Sequence, residues 1–140
     1  VDLLAQHFFP IWDKKRVFAA QVRFVTTDPD SGQQVPFYFM PSVGGSNSLR
    51  SYPDFRFRDQ NVLYFNVEYR WEAFSGLDMA LFYDRGVAAP TVDDLRLSDA
   101  EDGYGIGFRF NTYKAVFMRL DLGFGGNEGV KFFFKFSRAF

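Results

Sequence analysis

Asn61-Val62-Leu63-Tyr64-Phe65-Asn66-Val67-Glu68-Tyr69-Arg70-Trp71 alternates without a break. Leu63, Phe65, Val67, Tyr69 and Trp71 fall on one side of an extended chain; Tyr64, Asn66, Glu68 and Arg70 fall on the other. A period of two marks a strand with two different faces. The pattern repeats outward in both directions. Residues 16–27 set Phe18, Ala20, Val22 and Phe24 against Ala19, Gln21 and Arg23, and residues 77–85 set Leu77, Met79, Leu81 and Tyr83 against Asp78, Ala80, Phe82 and Asp84. Residues 104–111 oppose Ile106, Phe108 and Phe110 to Gly105, Gly107 and Arg109, and residues 115–124 oppose Val116, Met118, Leu120, Leu122 and Phe124 to Phe117, Arg119 and Asp121. In residues 130–140, Phe132, Phe134, Phe136 and Phe140 share a face opposite Lys131, Lys135 and Ser137. Residues 1–9 alternate imperfectly and make a seventh strand that ends at Pro10.

The connections are alternately short and long: turns near residues 10–15, 72–76 and 112–114, and long segments at 28–59 and 86–103. Gly125-Gly126-Asn127-Glu128-Gly129 has hairpin chemistry. Strands of about nine to eleven residues match a tilted bilayer crossing. The reading is an all-β, antiparallel up-and-down meander with no amphipathic helix and no domain boundary.

Composition narrows what surrounds it. Aromatic residues make up 21% of the chain, with 20 Phe, yet mean hydropathy is only −0.17. Alternation explains both figures, because one apolar face averages against one polar face. No run is long enough for a transmembrane helix, and no charged start, apolar stretch and cleavage site mark a signal peptide. Val1 reads as already inside an element, as in a segment of something longer. A formal net charge of −1 gives no general attraction to nucleic acid. The absence of cysteine excludes thiol catalysis and Cys-ligated metal.

Alternation alone allows a soluble barrel with Phe inside or a membrane barrel with Phe toward lipid. Three features favour the membrane. The polar face carries mixed charge with glycines and aromatics, as a crowded lumen would. The apolar faces are nearly pure over the last five strands. The chain ends Phe-Lys-Phe-Ser-Arg-Ala-Phe, with aromatics at alternate positions and a Phe last; Arg138 breaks that face and is read as snorkelling at the interface. Seven strands are too few and odd in number for a single-chain bacterial barrel, so the rest of its own barrel, or another chain, is expected to complete the wall.

The segment 28–59 is too long for a simple connection. Its extended entry is Pro36-Phe37-Tyr38-Phe39-Met40-Pro41. Tyr52, Phe55 and Phe57 are costly to leave in water, and Arg50, Arg56 and Arg58 need partners, so it reads as a loop folded into the structure. With this loop and the following strands in place, the chain resembles the C-terminal barrel of the BamA/TamA surface-antigen superfamily of outer-membrane proteins. Gly44-Gly45 followed by Leu49-Arg50-Ser51-Tyr52 resembles the family's loop-six motif of an aliphatic residue, Arg, Gly and an aromatic. Asn66-Val67-Glu68-Tyr69-Arg70 resembles the next strand, Phe82-Tyr83-Asp84-Arg85-Gly86 the Asp-containing motif after it, and Phe136 with Phe140 the terminal aromatic signal read by the assembly machinery. The resemblance spans nearly the whole chain.

The resemblance implies an outer-membrane barrel, of a Gram-negative bacterium or a related organelle, that inserts or translocates polypeptides. The alternative is an anchor or pore barrel carrying a passenger domain or belonging to a larger complex. Implied partners are outer-membrane lipid and polypeptide clients; no enzyme activity, cofactor or metal is implied. Arg50 is expected to pair with Asp84, with Glu68 nearby, locking the loop in the lumen; residue parity independently puts both acids on the charged face. Ser51 departs from the pattern. If that position demands φ > 0 or close backbone approach, Ser is a strained substitute for Gly.

Other signals read as structural. The glycines of Gly103-Tyr104-Gly105-Ile106-Gly107 alternate along a strand with no helix after them, unlike a nucleotide loop. The acids between Asp93 and Asp102 match no calcium-loop spacing. His7 has no visible partner, and Ser46, Ser48 and Ser51 have no base to activate them.

Overall fold

A computed structural model describes residues 1–12, 15–27, 33–111, 116–126 and 128–136. Seven long strands form one antiparallel sheet in chain order: β1 (Asp2–Ile11), β2 (Arg16–Thr26), β5 (Asn61–Phe74), β6 (Leu77–Ala89), β7 (Glu101–Asn111), β8 (Val116–Phe124) and β9 (Lys131–Phe136). Two short strands, β3 (Ser42–Val43) and β4 (Phe57–Arg58), pair with each other inside the long loop between β2 and β5. Every neighbouring pair in the large sheet is antiparallel, so the sheet is a meander with β1 and β9 at its edges. Phe140 and Arg138 lie outside the described residues.

Burial runs opposite to that of a soluble protein. On β6 the inward Ala80, Phe82 and Asp84 are buried while outward Leu81 is 48% exposed; Asp84 itself is 0% exposed. On β7 and β8, Arg109 and Asp121 are buried, while Tyr104 on the opposite face is 56% exposed. Phe132, Phe134 and Phe136 of β9 are also exposed. Charged groups lie inside and aromatics outside. A wall built this way matches a barrel whose outer solvent is lipid.

The inward face is covered by the β2–β5 loop. Val43, Leu49 and Tyr52 of the loop pack on Val62 and Tyr64 of β5, with Val25, Phe57 and Ala88 at the margins. This small apolar core lies at the end of the wall where the long connections emerge.

Strand ends differ from the sequence reading by a few residues, as where β5 runs on to Phe74, and three differences are larger. Pro36 leads into a 3₁₀ turn, Phe37–Phe39, closed by Phe39 N–H donating to the Pro36 carbonyl at 2.9 Å, so the entry is not extended. Residues 86–89 continue β6 rather than opening the second long connection, because they pair with Asn61–Tyr64 of β5. The loop makes that pairing worthwhile: Gly86, with no side chain, leaves room for Val43 and Leu49 to pack over it. Glu101 and Asp102 likewise belong to β7, and the shortened connection holds two 3₁₀ turns, Val92–Asp94 and Leu97–Asp99.

The orientation of the wall makes a direct prediction. In the full-length protein folded into liposomes, Leu81→Arg places a charge toward the hydrocarbon and is expected to cost about 2–4 kcal/mol. Equal urea midpoints for Leu81→Arg and Leu81→Ala would show that this face does not meet lipid.

Candidate functional site: a loop locked to the inner wall

The loop turns back through Gly44 (φ +131°) and Gly45 (φ +85°), conformations that side-chain-bearing residues rarely adopt. Ser48 Oγ accepts from Gly44 N–H at 2.8 Å, and Gly45 N–H donates to the Tyr52 carbonyl at 3.0 Å. These bonds close a tight tip, Leu49-Arg50-Ser51-Tyr52, in which all four residues are buried.

Arg50 engages Asp84 side-on. Its Nε donates to Asp84 Oδ2 at 2.8 Å, its Nη2 to Oδ1 at 2.6 Å, and its backbone N–H to Oδ2 at 3.0 Å. Its Nη1 donates to Glu68 Oε2. The guanidinium carbon lies 3.7 Å from the centroid of the Phe82 ring, so the cation also rests on an aromatic face. Asn66, directly opposite Asp84 across the sheet, donates Nδ2 to Asp84 Oδ1 at 2.8 Å. A bidentate, charge-assisted pair with this many donors is the strong kind.

The pairing continues beyond these residues into a circuit. Glu68 also accepts from Arg109 Nη2 at 3.1 Å on both oxygens, and from Arg70 Nε at 2.6 Å. Arg109 Nη1 donates to Asp121 Oδ1 at 2.7 Å, and Arg119 Nε to Asp121 Oδ2 at 2.5 Å. Arg119 Nη2 then donates to the Ser46 carbonyl at 3.2 Å, back in the loop. Arg109 and Arg119 face each other directly in the β7–β8 register, a like-charge pair that would normally repel. Asp121, bonded to both, relieves it. Loop and strands β5 to β8 are thereby joined in one ring of ion pairs, closed by the Arg119 bond to the Ser46 carbonyl.

Sequence parity placed Arg109, Arg119 and Asp121 on the charged face but gave them no partners. Their roles depend on register between strands, which parity does not supply. Further ties were also absent from that reading: Tyr52 donates its hydroxyl to Glu101 Oε2 at 2.8 Å, and Arg56 pairs with Glu128 of the β8–β9 turn. Burial, and then the Glu101 carboxylate, push the Tyr52 phenol above its ordinary range, so it remains a donor. Arg58 stacks between Phe37 and Phe55, at 4.8 and 5.3 Å from their centroids, and donates to the Phe37 carbonyl. Ser51 lies outside the positive-φ region; among the described residues only Trp12 and Phe55 enter it without being glycine.

A family model described as the Omp85 superfamily domain matches residues 1–140. The chain belongs to the Omp85 superfamily. Among solved structures it is similar to the crystal structure of BamA from Haemophilus ducreyi lacking POTRA domains 1–3, with 15% identity and a TM-score of 0.75. That match covers 95% of this chain and 33% of the BamA chain, so the present residues span about a third of that protein's length. No curated protein matches the sequence. The Omp85 match and the shared fold identify the seven strands as wall of an outer-membrane barrel.

The ring makes a stability prediction. Arg50→Ala leaves Asp84 and Glu68 buried without their shared cation and is expected to cost about 3–5 kcal/mol in urea unfolding of the full-length protein. In a double-mutant cycle, Arg50→Ala and Asp84→Ala should cost clearly less together than the sum of the two. Additive losses would mean that the two side chains act independently.

Proposed function

We propose that residues 1–140 are the C-terminal part of an outer-membrane barrel that inserts or translocates polypeptides, with residues 28–59 as an inward lock. The observation that carries this reading is the ring of ion pairs, which fixes the loop against the lumen side of β5 to β8. A loop bonded this densely across the inner wall braces the barrel against deformation from inside. A barrel that must handle client chains without losing its own shape needs this, because bracing by side chains spares the backbone ladder from bearing the load alone.

The edges support the same reading. β1 and β9 border the sheet, and unpaired strand edges are not tolerated in hydrocarbon. They require further strands, from the rest of the same barrel or another chain. The partners in this reading are outer-membrane lipid, the completing strands and polypeptide clients; the near-neutral chain offers nothing to nucleic acid.

The test is reconstitution. Full-length protein in liposomes should speed the folding of a urea-denatured outer-membrane barrel protein over empty liposomes, and Arg50→Ala should lose most of that acceleration. Unchanged client folding beside a folded, membrane-integrated barrel would favour the alternative, an anchor or pore for a passenger domain.

A further inference from the structure

Ser51 is 0% exposed, yet it is a polar residue at the point where the loop comes nearest to the wall. Its hydroxyl donates to the Phe124 carbonyl of β8 and lies 3.5 Å from the Tyr104 carbonyl of β7. Tyr104 and Phe124 are directly paired across those two strands. Ser51 therefore sits above one rung of the ladder, between two glycines. A Cβ on Gly103 would lie 2.5 Å from Ser51 Oγ and 2.8 Å from Ser51 Cβ. A Cβ on Gly123 would run into the Arg50 carbonyl, 2.6 Å from its carbon, and come within 3.0 Å of Ser51 Cα.

The two glycines make room for different things. Gly103 clears the side chain of Ser51, whereas Gly123 clears the backbone of the Arg50–Ser51 peptide. Gly103 is also directly opposite Asp84 in the β6–β7 register, so the space that receives Ser51 adjoins the carboxylate that holds Arg50. A displacement of Ser51 would carry Arg50 away from Asp84.

We propose that Gly103 and Gly123 form a socket across β7 and β8 that receives Ser51 and sets the register in which Arg50 reaches Asp84. Ser51 and Gly103 are a matched pair: the side chain present on the loop is balanced by the one missing from the wall. These are positioning residues, and the proposal rests on reading the loop as a docked lock.

Limited trypsin digestion of the folded full-length protein tests it, with mass spectrometry reading the cut after Arg50 and unheated gel migration reading the folded barrel. Cleavage at a protected site tracks the population of the open form. Wild type should resist, and Gly103→Ala and Gly123→Ala should each be cut about tenfold faster or more. Adding Ser51→Gly should restore protection to Gly103→Ala, because only side-chain atoms clash there, and should leave Gly123→Ala susceptible. Wild-type protection in Gly103→Ala, or equal rescue of both glycine variants, would overturn the socket. Should Gly103→Ala fail to fold, recovery of folding by Ser51→Gly supports the socket and failure to recover overturns it. Asp84→Ala separates the two ideas. If it stays protected, the lock reading fails; if it is cut while Gly103→Ala is not, the socket alone fails.

Discussion

Everything inside this wall depends on one cation held between two carboxylates. Arg50 arrives on a loop, while Asp84 and Glu68 sit on neighbouring strands that face the lumen. Each acid would be expensive to bury alone. The arginine would be equally out of place at the tip of an apolar loop. Their joint burial therefore couples two pieces of structure that sequence distance keeps apart, and neither the loop's position nor the buried acids make sense without the other.

The coupling spreads because charge balance does. Glu68 is shared by Arg50, Arg70 and Arg109; Arg109 is shared by Glu68 and Asp121; Asp121 is shared with Arg119, which returns to the loop at Ser46. A network of this kind is stronger than isolated surface pairs, since Arg50, Glu68, Asp84, Arg109 and Asp121 are buried and each is hydrogen-bonded to more than one partner. It also explains why the polar face tolerates so many like charges: Arg109 and Arg119 stand opposite each other only because Asp121 lies two residues beyond. Among the described residues the outer face carries only the small Tyr83–Asp102–Arg85 cluster near its end, and its exposed aromatics suit a hydrocarbon solvent.

Much of this could be read from the chain itself. Alternation over Asn61–Trp71 and its neighbours located the long strands, and parity put Glu68, Asp84, Arg109, Arg119 and Asp121 on one face. The solvent on each side was harder, because a period of two is indifferent to which face is wet; burial of Asp84 beside exposed Leu81 decides it. Gly86 looked like the end of a strand, since glycine weakens strand preference locally, but packing by Val43 and Leu49 overrides that preference. Register-dependent partners such as Arg109–Asp121 left no local trace. Of the two conditions that would strain Ser51, the structure shows close backbone approach without a positive φ, and the room is supplied by Gly103 and Gly123, far along the chain.

Arg50 holds the loop tip against the inner wall. Hydrogen–deuterium exchange on the full-length protein in a bilayer tests this hold most directly. The Arg50 N–H donates to Asp84, the Gly45 N–H to Tyr52 and the Gly44 N–H to Ser48, so these amides should exchange as slowly as those of β5 and β6. Exchange at the rate of an open surface loop, with β5 and β6 still protected, would contradict the account.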